Sequence, residues 1–127
     1  MPKKILLVED YEVLREFVAE VLVLEGSYTV VAVCNGQEAW EILDRGEKFD
    51  LILSDKDMPK MNGLELLQRV REDSRTTYTP FLLVSGDDVV SRDDPTPLQI
   101  ACRDLEAHFR KKPLDYFSVV SELLKDE

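Results

Sequence analysis

Carboxylates stand directly after short apolar runs at two places in the chain. Ile5-Leu6-Leu7-Val8 runs into Glu9-Asp10, and Leu51-Ile52-Leu53-Ser54 runs into Asp55. A third run, Phe81-Leu82-Leu83-Val84, stops at Ser85-Gly86, and a fourth segment leads into Lys112-Pro113. Were these runs parallel strands, their carboxyl ends would meet along one edge, where open parallel sheets build their sites. Three carboxylates, a hydroxyl and an ammonium would then face one another. Two like charges roughly 4 Å apart repel by about 4 kcal/mol at an effective dielectric of 20, and a divalent cation relieves that repulsion. An all-oxygen set completed by water suits Mg²⁺ and leaves coordination positions for a phosphoryl group. Asp55 could then act as a nucleophile and form an aspartyl phosphate. Lys112 would neutralise the transferring group and Ser85 would donate a hydrogen bond to it. A plainer role for Glu9-Asp10 is to cap the following helix, and the two roles are compatible.

The order of segments supplies the strands that this arrangement needs. Continuous apolar runs of four residues suit strands buried on both faces. Val13, Leu14, Phe17, Val18, Val21 and Leu22 recur at helical spacing and predict a first helix with these residues inward, stopped by Gly26. Thr29 to Val33 is rich in β-branched residues and predicts a strand, followed by the turn signal Asn35-Gly36. Ala39, Trp40 and Leu43 mark the core side of a second helix, and Leu64, Leu67 and Val70 that of a third. A fourth helix is expected over 97–106, a fifth strand over 107–111 and a last helix over 114–124. Met58 and Met61 read as loop packing, and His108 as an edge residue. The alternation predicts an α/β fold: a single (βα)5 doubly wound sandwich around a five-stranded parallel sheet in the flavodoxin-like order 2-1-3-4-5, filling 1–127 as one domain.

Composition narrows the partners. The 127 residues carry 26 acidic and 16 basic side chains, a net charge of −10. That argues against nucleic acid as a direct partner, since phosphate backbones need a basic surface. No apolar run is long enough to span a membrane. Cys34 and Cys102 fit no metal spacing and no disulfide framework, and read as reduced thiols of a cytoplasmic protein.

The full set of motifs resembles the receiver domain of bacterial two-component response regulators. The resemblance rests on Val8-Glu9-Asp10, on Asp50 to Asp55 followed by Met58-Pro59 and Gly63, on Ser85-Gly86 and on Lys112-Pro113. It implies that Asp55 accepts a phosphoryl group from a phosphohistidine on a sensor histidine kinase or phosphotransfer protein. It implies that Glu9, Asp10 and Asp55 hold Mg²⁺ together with the backbone carbonyl of Asp57. Ser85 and Phe109 would be the switch residues, Lys112-Pro113 would be a cis peptide, and the output would pass to a downstream protein partner. A homodimer through the fourth-helix face stays open.

Three features depart from the family's pattern. Asp57 and Asp87 each lie two positions after a site residue, at offsets that in the family flank the phosphoryl group; we expect one of these modulatory positions to tune its lifetime or tighten metal binding. The glycine usual before the fifth strand is missing, with Leu105 near its place. Asp93-Asp94-Pro95-Thr96-Pro97 carries two prolines two apart, which cannot both lie inside a helix, so a longer loop and a shifted fourth helix are expected. Two other readings compete. One is a degenerate receiver that docks without phosphorylation. The other is a phosphatase of the haloacid dehalogenase type, suggested by Asp55-Lys56-Asp57.

Overall fold

The three apolar runs become strands because each has a layer of side chains to meet on both faces. The computed structural model describes residues 2–86 and 96–125. Its elements alternate: β1 Lys4–Val8, α1 Glu12–Gly26, β2 Thr29–Val33, α2 Gly36–Asp44, β3 Leu51–Asp55, α3 Gly63–Glu72, β4 Phe81–Ser85, α4 Pro97–Asp104, β5 His108–Lys111 and α5 Tyr116–Leu124. The strands are parallel in the order β2-β1-β3-β4-β5. Side chains alternate across the sheet. Leu6, Val8, Ile52, Phe81 and Leu83 pack with α2 and α3 on one face, and Ile5, Leu7, Leu51, Leu53, Leu82 and Val84 with α1 and α5 on the other. Each fully buried residue of this size contributes about 1.5–3 kcal/mol over its exposed state. The order reverses between β1 and β3, which places Glu9, Asp10 and Asp55 at the switch point.

The first helix differs from the sequence expectation. Val18 and Leu22 are buried and Leu14 packs beside them, but Val13 and Phe17 face outward, 64% and 56% exposed. This helix is apolar on two faces, so spacing alone admitted two orientations. Its stop also differs. Ser27, not Gly26, takes the left-handed cap conformation (φ 57°), while Gly26 lies against the Tyr28 ring with no room for a Cβ.

Boundaries near the carboxyl end shift by one or two residues. Helix α4 starts at Pro97 as expected, capped by Thr96, and ends at Asp104. Asp115 caps α5 through Ser118 N–H, so Leu114 stays outside the helix. The turn before β5 puts Glu106 at φ 55°, the conformation a glycine would favour. The Arg71 guanidinium secures that turn from α3: it donates to the carbonyls of Leu105 (2.7 Å) and Glu106 (3.3 Å), and also to those of Thr77 and Thr79. His108 is exposed on the edge strand β5, Met58 is buried, and Met61 packs against the core. Trp40 is half-buried at the core's margin with Arg69 over its ring. Asp87 and the Asp93-Asp94-Pro95 stretch lie outside the described residues. Among the described residues no helix is long and apolar enough to cross a membrane.

Candidate functional site

The site starts where the β1–β3 ladder ends. Glu9 N–H bonds to Val33 O at 3.1 Å and Lys56 N–H to Val84 O at 2.8 Å, so the backbone stays paired just past each strand. Lys112 N–H bonds to Ser85 O at 2.9 Å, which fixes the β5–α5 connection beside β4, and the Lys112-Pro113 peptide is cis as expected. Helix α3 closes the floor. Gly63 N–H bonds to Lys56 O at 2.8 Å, and a Cβ on Gly63 would collide with Asp55 O and the Leu83 side chain. Only a glycine lets the helix start that close to the strand end. Asn62 and Glu65 complete a reciprocal cap at the same point.

The predicted residues converge. One carboxylate oxygen each from Glu9, Asp10 and Asp55 lies within 4.8 Å of the others, with Glu9 and Asp55 buried and Asp10 exposed. Lys112 Nζ reaches Asp55 Oδ1 at 2.8 Å and Glu9 Oε1 at 3.4 Å. Burial, with the neighbouring Asp55 charge, pushes the Glu9 carboxyl above its ordinary range. Burial also raises Asp55, and outweighs the hydrogen bond and charge of Lys112 that act the other way. For Lys112 the balance reverses. Burial would lower it, but its hydrogen bond to Asp55 and the charges of Asp55 and Glu9 hold the ammonium above its ordinary value. Hard oxygen donors this close, with only part of their charge compensated by Lys112, fit a small divalent cation such as Mg²⁺.

The remaining predicted positions are placed as follows. Ser85 is fully buried at the end of β4, next to Val84, which pairs with Asp55 across the ladder. Phe109 pairs with Leu83 and is half-buried against the core. Asp57 is exposed, ion-paired to Lys56 at 3.5 Å, and its charge helps raise Asp55.

Two contributors escaped the sequence reading. Arg15, which carries no role in the sequence analysis, donates to Glu9 O at 2.9 Å. Tyr116, at the start of α5, is half-buried; burial pushes its phenol up to about 12, with the site's charges acting on it as well. A polar residue at a helix start four positions after Lys112 was the available signal.

A parallel sheet in this order, with an aspartate at the end of its third strand ringed by two further acids and a lysine, defines an α/β domain with an acidic site at its topological switch point. Residues 5–95 match the family described as response regulator receiver domain, and the chain belongs to that family. Membership sets aside the dehalogenase-type reading. The match stops before β5, so Phe109 and Lys112 stand on geometry. Chemotaxis protein CheY1 of Helicobacter pylori is 35% identical over 84 residues, covering 66% of this chain and 68% of that protein. The transcriptional regulatory protein CrdR of H. pylori is 37% identical over 115 residues, covering 91% of this chain, which spans only 50% of CrdR. Among solved structures, CheY4 of Vibrio cholerae superposes with a TM-score of 0.80 at 26% identity, covering 98% of each chain. A response regulator receiver protein from Pseudomonas putida gives 0.82 at 26% identity, covering 100% of this chain and 98% of that one.

Proposed function

We propose that the chain, as one receiver domain over 1–127, takes a phosphoryl group onto Asp55 from a phosphohistidine of a sensor histidine kinase or phosphotransfer protein. The observation that carries this reading is the Lys112–Asp55 contact of 2.8 Å inside the acidic trio. An Asp55 carboxylate oxygen attacks phosphorus, the N–P bond breaks, and the donor imidazole, already protonated on its other ring nitrogen, keeps the bond's electron pair and leaves as neutral imidazole. Lys112 then pairs with a phosphoryl oxygen, and Ser85 donates its hydroxyl to another. Glu9, Asp10, Asp55 and the Asp57 carbonyl would hold Mg²⁺. Bound there, the ion supplies charge neutralisation for the phosphoryl oxygens.

Phe109 moves inward as Ser85 engages, which biases the α4–β5–α5 surface toward a downstream protein partner. Hydrolysis by water returns Asp55 and inorganic phosphate, and one of Asp57 and Asp87 tunes its rate or tightens metal binding. No dedicated metabolite is turned over, and the domain acts in the cytoplasm. A protein donor is supported by exposed Tyr11, just before α1, and exposed Val13 and Phe17 on α1, apolar side chains beside the Glu9-Asp10 loop suited to a partner surface.

The test is Mg²⁺-dependent binding of beryllofluoride, an acyl-phosphate mimic, followed by amide NMR. Saturable binding to the wild type that is absent in Asp55→Asn is the expected result. A folded wild type that binds none would mean a receiver that docks unphosphorylated.

A further inference from the structure

Arg15 sits at the fourth position of α1, with its backbone N–H bonded to Tyr11 O at 2.9 Å. Long side chains on a helix point back toward its amino end, so this one returns over the loop that precedes the helix. There its Nη1 donates to Glu9 O at 2.9 Å and reaches Asp10 O at a longer 3.5 Å. These are the main-chain oxygens of the two residues whose carboxylates complete the acidic trio. The same loop is tied once more, by Tyr11 N–H to Glu9 Oε2 at 3.2 Å. The guanidinium therefore grips the peptide planes, and the carboxylates are oriented by the planes they hang from.

We propose that Arg15 is a positioning residue for the cation site, holding the Glu9-Asp10 backbone so that both carboxylates point at Asp55 before any ion arrives. The inference rests on the reading of Glu9, Asp10 and Asp55 as the Mg²⁺ ligands. Its physical basis is preorganisation. Like charges crowded within 4.8 Å tend to splay the loop. A loop that splays must be re-ordered on binding, at the expense of affinity.

Charge and geometry predict opposite signs for the same substitution. A guanidinium repels a dication, so if Arg15 acted through its charge alone, Arg15→Ala would tighten Mg²⁺ binding. If it acts by holding the loop, Arg15→Ala weakens it, by about tenfold as for other residues that orient metal ligands. Arg15→Lys keeps the charge, but its amine sits one bond nearer the backbone than Nη1 and does not reach Glu9 O, so it also binds more weakly than the wild type.

The experiment is a Mg²⁺ titration of wild type, Arg15→Ala, Arg15→Lys and Asp10→Asn by calorimetry, with amide spectra and hydrogen exchange of the metal-free proteins. Expected are saturable binding by the wild type, a large loss in Asp10→Asn, and a loss of about tenfold in Arg15→Ala. The spectral changes in Arg15→Ala should be confined to 9–15, with faster exchange at Tyr11 N–H. Unchanged or tighter binding by folded Arg15→Ala overturns the inference and leaves the metal reading standing. A wild type that binds no Mg²⁺ overturns the metal reading and the inference with it. Should Arg15→Ala not fold, wild-type affinity in Arg15→Lys overturns the inference by itself.

Discussion

At the amino ends of the strands, Lys4 pairs with Glu47 at 2.7 Å, and Arg75 pairs with Asp44 and Asp73 at 2.8 Å each. At the carboxyl ends, Glu9, Asp10 and Asp55 gather around the Lys112 ammonium. The same kinds of side chain thus meet in two ways. At the amino end the partners lower the carboxyls: the hydrogen bond from Lys4 lowers Glu47, and those from Arg75 hold Asp73 down at about 2. At the carboxyl end burial and mutual repulsion raise Glu9 and Asp55. Paired charges near water add little to stability, whereas an unbalanced cluster is kept at a structural cost that a ligand can recover.

The largest effect that separates the two ends is the response to Mg²⁺. At a hundred times its dissociation constant the ion should raise wild-type stability by about 2.7 kcal/mol. Asp10→Asn should lose that gain in a urea melt, and Asp44→Asn at the other end should keep it. Next is removal of the cation from each end. Lys112→Met leaves two buried carboxylates without their ammonium and should lower metal-free stability by about 1–3 kcal/mol. Arg75→Met should move the urea midpoint far less, because its partners remain in water. Equal losses would erase the contrast.

The smallest effect is a pH dependence. Asp73 sits at about 2 in the fold, against roughly 3.9 for an unfolded aspartate. Its contribution is therefore present above the unfolded value and is lost as the pH falls through the folded one. A series of urea midpoints from neutral pH downward should show less loss between roughly pH 4 and 2 in Asp73→Asn than in the wild type. An identical acid profile would mean that the Arg75–Asp73 pair contributes nothing.

Much of the carboxyl-end cluster was legible because its residues lie at strand ends. A run such as Leu51 to Ser54 that stops at Asp55 gives the element, its direction and the exposed side chain together, and Lys112-Pro113 marked its lysine by the proline behind it. Val13 and Phe17 were misplaced because α1 is apolar on two faces, and spacing cannot say which face meets the sheet. Arg15 stayed hidden because its partners are main-chain carbonyls, which leave no trace in residue types. Glu106 takes its left-handed turn one position from where the glycine is missing, and what the sequence did not show is the support from Arg71, a residue 35 positions away.

The contact between Gly63 and the Asp55 carbonyl has a consequence for tolerance to change. Nothing at 63 is charged, nucleophilic or able to ligate an ion, yet even one methyl group there would push α3 off the strand that carries Asp55. In a saturation library scored for signalling, that position should be as barren as 55 itself. Its failures would be of a different kind, arising from displaced backbone in proteins whose every reactive group is present.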